Sequence, residues 1–140
     1  MQYQLKITTG EKDKIALSKI RRKVFIDEQS VPEQLEWDED DEACSHVLVT
    51  DKHNTPIATG RMKPDGHIGR MAVLKDYRNS GIGSAVLKEL LKSAVSRNLN
   101  HVYLYAQITA IPFYEKQGFK ISSDEFMDAG ISHKTMQLTL

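Results

Sequence analysis

Apolar and polar residues alternate over residues 3–8, with Tyr3, Leu5 and Ile7 on one side of the chain, which predicts a half-buried strand. Over residues 13–28 the spacing changes: Leu17, Ile20 and Val24 recur at i, i+3 and i+7, the stripe of a helix that covers a core. Val31-Pro32 breaks that pattern. Strand-like segments 45–50 and 57–62 flank the turn-forming stretch 51–56 and predict a hairpin. A further strand over 67–74 runs into a glycine-bearing loop. Ile82, Val86, Leu90 and Ala94, four apart, then predict the longest helix, 81–97, ended by Asn98-Leu99-Asn100. Residues 101–106 read as a strand and 110–117 as a short helix. Thr109 is placed to cap that helix, Pro112 lies in its first turn, and Gly118 fits a left-handed residue after its end. Strands near 119–122 and 134–140, joined by a polar loop, close the chain.

The resulting order, βα(α)βββαβαβ, predicts an α/β fold with a mixed sheet: a strand–helix–strand core with antiparallel hairpins on its N-terminal side. The 140 residues suit one domain, 1–140, and no repeat or linker divides them. Apolar residues at 40% support a real core. Lysine plus arginine and aspartate plus glutamate number 19 each, without the basic excess of a nucleic-acid binder. No run is long and apolar enough for a signal peptide or a membrane span, and the one cysteine, Cys44, has no internal partner. A cytoplasmic protein is expected.

Charge changes the picture at residues 36–42, where six carboxylates stand in seven positions. Such a block repels itself and is expected in a solvated loop or short helix, where it either steers a cationic amine or has no functional part. Arg21, Arg22, Arg61 and Arg70 are the opposite option, receivers for an anionic group.

The loop Arg78-Asn79-Ser80-Gly81-Ile82-Gly83 carries the strongest chemistry. It joins a strand to a helix start, where glycines let backbone N–H groups converge on a phosphate at the positive end of the helix dipole. The next residues, Ser84-Ala85-Val86, miss the third glycine of a dinucleotide fingerprint, and no Gly-Lys-Ser/Thr of a nucleotide P-loop is present. By itself the loop therefore reads either as a phosphate cradle or as a glycine turn that opens a helix.

Residues 71–87, from Met71-Ala72-Val73 through Arg78-x-x-Gly81-x-Gly83 to Leu87, resemble motif A of the GNAT (Gcn5-related) N-acetyltransferases. Gln107-x-x-Ala110-x-x-x-Tyr114-Glu115-Lys116-Gln117-Gly118-Phe119 resembles motif B, in family order and at family spacing. The segment from Phe25 to Trp37, with His46 after it, is similar to the small bacterial ElaA/YjcF-like branch. Gln107 stands where many members have asparagine.

The resemblance implies a splayed mixed sheet of about seven strands with about four helices, and transfer of an acetyl group from acetyl-CoA to an amine by direct attack in a ternary complex. It implies cofactor contacts at Met71, Ala72 and Val73 for the pantetheine arm, at Arg78, Asn79, Ser80, Gly81, Ile82, Gly83 and Ser84 for the pyrophosphate, and at Gln107, Ala110 and Phe113. Tyr114 would protonate the leaving thiolate or hydrogen-bond to it, and a backbone N–H of 71–73 would hold the oxyanion. No metal is implied. The acceptor would be a small-molecule or protein amine, bound by a monomer or homodimer near Phe25, Glu28 and Arg70. A lysine-like amine is neutral in only about one molecule in 2,500 at pH 7, so a base or a water chain is required. Glu28, His46, His67 and His133 are the chemical candidates for that base, with Arg70 expected on the face opposite His67 and Met71. A non-catalytic acyl-CoA-binding module is the alternative reading.

Overall fold

The computed structural model describes residues 2–140. Eight strands form one mixed sheet: β1 (Tyr3–Thr9), β2 (Ser45–Asp51), β3 (Pro56–Met62), β4 (His67–Val73), β5 (His101–Gln107), β6 (Lys120–Ile121), β7 (Phe126–Asp128) and β8 (Ile131–Thr139). Their order is β1-β2-β3-β4-β5-β8-β6, with β7 also paired to β8. The first four strands are an antiparallel meander, β4 and β5 are parallel, and β8 returns antiparallel to β5. The polar loop predicted before the last strand instead folds into β7, and β8 begins at Ile131 because the turn Ala129-Gly130 reverses the chain at positive φ.

Alternation along the strands separates two cores. Val47 and Val49 face α3 (Ile82–Ser96), whose Ile82, Val86, Leu87, Leu90 and Ala94 are buried. Leu48, between them, points the other way and meets Leu17 and Ile20 of α1 (Lys14–Arg21). Each such side chain contributes about 1.5–3 kcal/mol on full burial. The remaining α-helices are α2 (Glu33–Glu36) and α4 (Ile111–Lys116). Gly118 takes φ +97° as expected. Thr109 does not cap α4; residues 108–110 form a 3-10 turn leading into it.

The helix predicted over 13–28 is one rod of two kinds. It is α-helical to Arg21 and then π-helical over Arg22–Glu28. The wider turn, of a type frequent at functional sites, brings Phe25, Glu28 and Gln29 toward the opening of the sheet.

That opening originates in β4. Thr59 pairs with Ala72 and Arg61 with Gly69, so Gly60 faces both Arg70 and Met71, and Arg70 takes φ +48°. This is a β-bulge. A Cβ on Gly60 would lie 2.6 Å from Met71 Sδ and 2.8 Å from Val86 Cγ1, so only glycine lets the bulge tuck beneath α3. The extra residue also resets the alternation. Ile68 and Met71 both pack on the α3 side, whereas His67 stacks on Tyr103 and meets Tyr105 at a tilt on the other face. The parity expected for His67 and Met71 is therefore broken, and the reason is the bulge. Parallel pairing between β4 and β5 spans only His67↔Tyr103 and Ile68↔Leu104. Beyond it the two strands separate.

Candidate active site

Two regions flank the separation. At one end, Leu74 through Ser80 lead into α3. Asn79 and Gly81 take φ +61° and +85°, and no side chain caps the helix start. A Cβ built on Gly81 meets nothing within 4 Å, so the first-turn N–H groups face open space. Ser80 Oγ donates to the Tyr77 carbonyl and Gln117 Nε2 donates to Ser84 Oγ. The Ile82 side chain is buried in the core, leaving its N–H for the loop, while Gly83 lies beside Phe113 and Val73. Arg78 points back rather than outward: Nε donates to the Val73 carbonyl (2.8 Å) and Nη2 pairs with Glu28 (2.8 Å).

At the other end is a cleft of about 380 Å³, lined by Phe25, Met71, Ala110 and Tyr114 among others. Gln107 closes one side by donating to Gln29, the residue just past the π-helical segment (3.0 Å). Ala72 does not reach the cleft through its side chain, which packs with Leu17 and Leu48. Tyr114 is 8% exposed, edge-on to Phe113 and Phe119, and burial pushes its phenol up to about 12.

The expected bases separate. Glu28 is not a cleft residue; it sits on Arg78. His46 is buried behind the wall, its Nε2–H donating to the Asp41 carbonyl (2.8 Å), and burial lowers its pKa. His67 and His133 do line the cleft. Burial, then the nearby Lys63, Arg61 and Arg70 charges, hold His67 at about 4 and therefore neutral at pH 7. His133 donates from Nδ1 to the Ile131 carbonyl (2.6 Å), which leaves Nε2 for other partners. Burial raises the thiol of Cys44, an inert core group.

Half of the acidic block is as expected, with Glu39, Asp40 and Glu42 exposed on the short 3-10 helix Glu39–Glu42, but the other half is not solvated. Asp41 is fully buried and takes both Nη groups of Arg21 (2.7 and 3.1 Å) together with Arg61 Nη1 (2.8 Å). Glu36 pairs with Arg21 Nε, and Asp38 binds Arg61 and Arg70. Arg21 also lies over the Trp37 ring at 4.7 Å. Three arginines spread over three sequence segments pair with Glu36, Asp38 and Asp41 and fold these three inward. Glu36, Asp38, Arg61 and Arg70 thereby form one wall of the cleft. Arg22 stands outside, paired with Glu33 at the surface.

The sequence matches the family model described as an acetyltransferase (GNAT) domain over residues 7–140. The chain belongs to the GNAT acetyltransferases. Its relatives include YyaT of Bacillus subtilis, 41% identical across 94% of this chain and 93% of that protein. The uncharacterised N-acetyltransferase YjcF of the same organism is 39% identical, across 84% and 86%. Escherichia coli ElaA shares the fold, with a TM-score of 0.86 at 24% identity over 97% of this chain and 99% of that one.

As a GNAT acetyltransferase the protein uses acetyl-CoA to acetylate an amine, and the chain has the features such a donor needs. The uncapped, left-handed start of α3 leaves room for a pyrophosphate, and the separated strands leave room for a thin arm. Among the described residues no cluster of metal-ligating side chains occurs, and no helix is long and apolar enough to cross a membrane. The polar and aromatic walls of the cleft were largely hidden in the sequence. Tyr105 and Gln29 carry no local motif, and pairing of the acidic block with Arg21, Arg61 and Arg70 depends on contacts 15 to 34 residues apart.

Proposed function

We propose that the cleft acetylates a primary amine by direct attack in a ternary complex, and that the carrying observation is the opening of β4 from β5 between the α3 loop and Tyr114. Bound acetyl-CoA supplies an activated thioester. The exposed backbone of Met71–Val73 binds its pantetheine arm as an added strand would. The N–H groups of residues 79–84, at the positive end of α3, hold its pyrophosphate. Glu28 neutralises Arg78 in the free protein, so a phosphate competes with a carboxylate for that guanidinium. Ala110 and Phe113 border the arm beside Gln107, and Tyr114 directs its hydroxyl to the leaving sulfur. Phe25 and Arg70 lie on the acceptor side. The single buried cysteine supports action in the reducing cytoplasm.

Calorimetric titration with acetyl-CoA is expected to give micromolar binding, and amines are expected to accelerate release of free thiol. Binding without thiol release from any amine would favour a carrier over an enzyme. The loop has its own test. Gly81→Val places a β-branched residue at φ +85°, at a cost of about 1–2 kcal/mol or more. It also fills the space above the N–H groups. Acetyl-CoA affinity is expected to fall about tenfold or more; an unchanged Kd would move the pyrophosphate elsewhere.

A further inference from the structure

Five rings form a continuous wall across β4, β5, β7 and β8. His67 stacks on Tyr103 at 4.6 Å and meets Tyr105 at 4.5 Å; Tyr105 meets Phe126 edge-on at 5.3 Å, and Phe126 stacks on His133 at 6.0 Å. His67, Tyr105 and His133 line the cleft, and Tyr105 remains 44% exposed. A core packing role would have covered that ring.

Many of the polar atoms around it are already committed. Tyr103 Oη donates to Asp65, His133 Nδ1 to Ile131, and the Gln107 amide to Gln29. Arg21 occupies Glu36, while Arg61 and Arg70 occupy Asp38. A sugar would need many free donors and acceptors, and a polyamine several free carboxylates; Asp128 lines the cleft without an ion pair among the described residues, a single carboxylate that suits a single ammonium. What the cleft adds to it is ring face.

We infer that the acceptor is a small arylalkylamine whose ring stacks on Tyr105 while its amine reaches the Gln107–Tyr114 end of the cleft. Two observations set its size. Tyr105 and Gln107 share a face of β5, and two residues of strand advance roughly 7 Å, the reach of a short alkyl spacer between amine and ring. The cleft of about 380 Å³ must also admit the thioester, which leaves no room for an oligosaccharide. His67, neutral at pH 7, adds no positive charge to repel the amine.

This assignment rests on the acetyl-transfer reading of the cleft, and the test separates the two. Acetyl-CoA binding is measured by calorimetry, and thiol release is followed with 2-phenylethylamine, 2-cyclohexylethylamine, spermidine and glucosamine. The expected result is a kcat/KM for 2-phenylethylamine about tenfold above spermidine and glucosamine, with the cyclohexyl analogue between. Tyr105→Ala is expected to raise its KM about tenfold with kcat little changed, and Tyr105→Phe to stay within about twofold of the native protein, since stacking needs the ring and not the hydroxyl. Preference for spermidine or glucosamine, or an unmoved KM in Tyr105→Ala, overturns the assignment. Acetyl-CoA binding with no turnover of 2-phenylethylamine overturns the acceptor alone, whereas absence of acetyl-CoA binding overturns the acetyl-transfer reading beneath it.

Discussion

Tyr114→Phe is expected to lower kcat by about tenfold to a hundredfold while leaving acetyl-CoA affinity within about twofold, the loss of one hydrogen bond to a developing charge. The substitution removes one hydroxyl and keeps the ring, which packs edge-on to Phe113 at 5.0 Å and to Phe119 at 5.9 Å. Burial raises the phenol to about 12. Two consequences follow for its role. The hydroxyl stays protonated throughout the working pH range, so it is always available as a donor. Against a thiol of ordinary acidity near 8.5, complete proton transfer from it is uphill by roughly 5 kcal/mol. Of the two roles open to Tyr114 in the sequence, the burial therefore favours a hydrogen bond to the departing sulfur over outright protonation. Stopped-flow or steady-state thiol release measures the change. Equal turnover by the two proteins would take Tyr114 out of the chemistry. A decline in rate below pH 10 is expected to have the same midpoint in both, because the phenol does not titrate there.

The second large effect is on stability. Asp41→Asn is expected to destabilise the fold by about 3–5 kcal/mol, the usual cost of leaving a buried partner charge unpaired, and to lower Tm by roughly 10–20 °C. Asp41 accepts from Arg21, Arg61 and the Asp38 N–H, and has no exposed side-chain surface. Burial works to raise its pKa, but the hydrogen bond and charge of Arg21 outweigh burial and hold the carboxyl well below its ordinary value of 3.8. A group depressed in the folded state contributes stability above its unfolded pKa and loses it as pH falls through the folded pKa. The difference between Asp41→Asn and the native protein should therefore be full at neutral pH and narrow as pH drops below about 3.8. Thermal unfolding followed by circular dichroism reads both. A Tm unchanged at pH 7 would mean that the network is ornamental to folding. Replacing Arg21 and Asp41 together by apolar residues of similar volume is expected to cost less than Asp41→Asn, because no orphaned charge remains.

The network also marks where local reasoning stopped. Six carboxylates in seven positions read as solvated because self-repulsion is all that the segment itself contains. Arg21, Arg61 and Arg70 reverse that sign only when α1, β3 and β4 meet. The β4 bulge is similar. Its cause is Gly60 on the neighbouring strand, whose missing side chain admits Met71, and nothing within residues 67–73 announces the reset that turns His67 away from Met71.

What the sequence determined by itself was the set of features governed by neighbours along the chain. The apolar period of 82–96, the glycines that open that helix, Gly118 at the end of α4 and the motifs around Tyr114 were all legible, because capping, periodicity and turn chemistry act over a few residues. The tertiary structure alone decided which charges cancel, which way Arg78 points, and how five rings from four strands become one wall. Those depend on the energy of groups brought together across the fold, where burial strengthens each pairing and penalises each failure to pair. The glycine loop that opens α3 is thus written largely in local motif, and the walls of the cleft in contact.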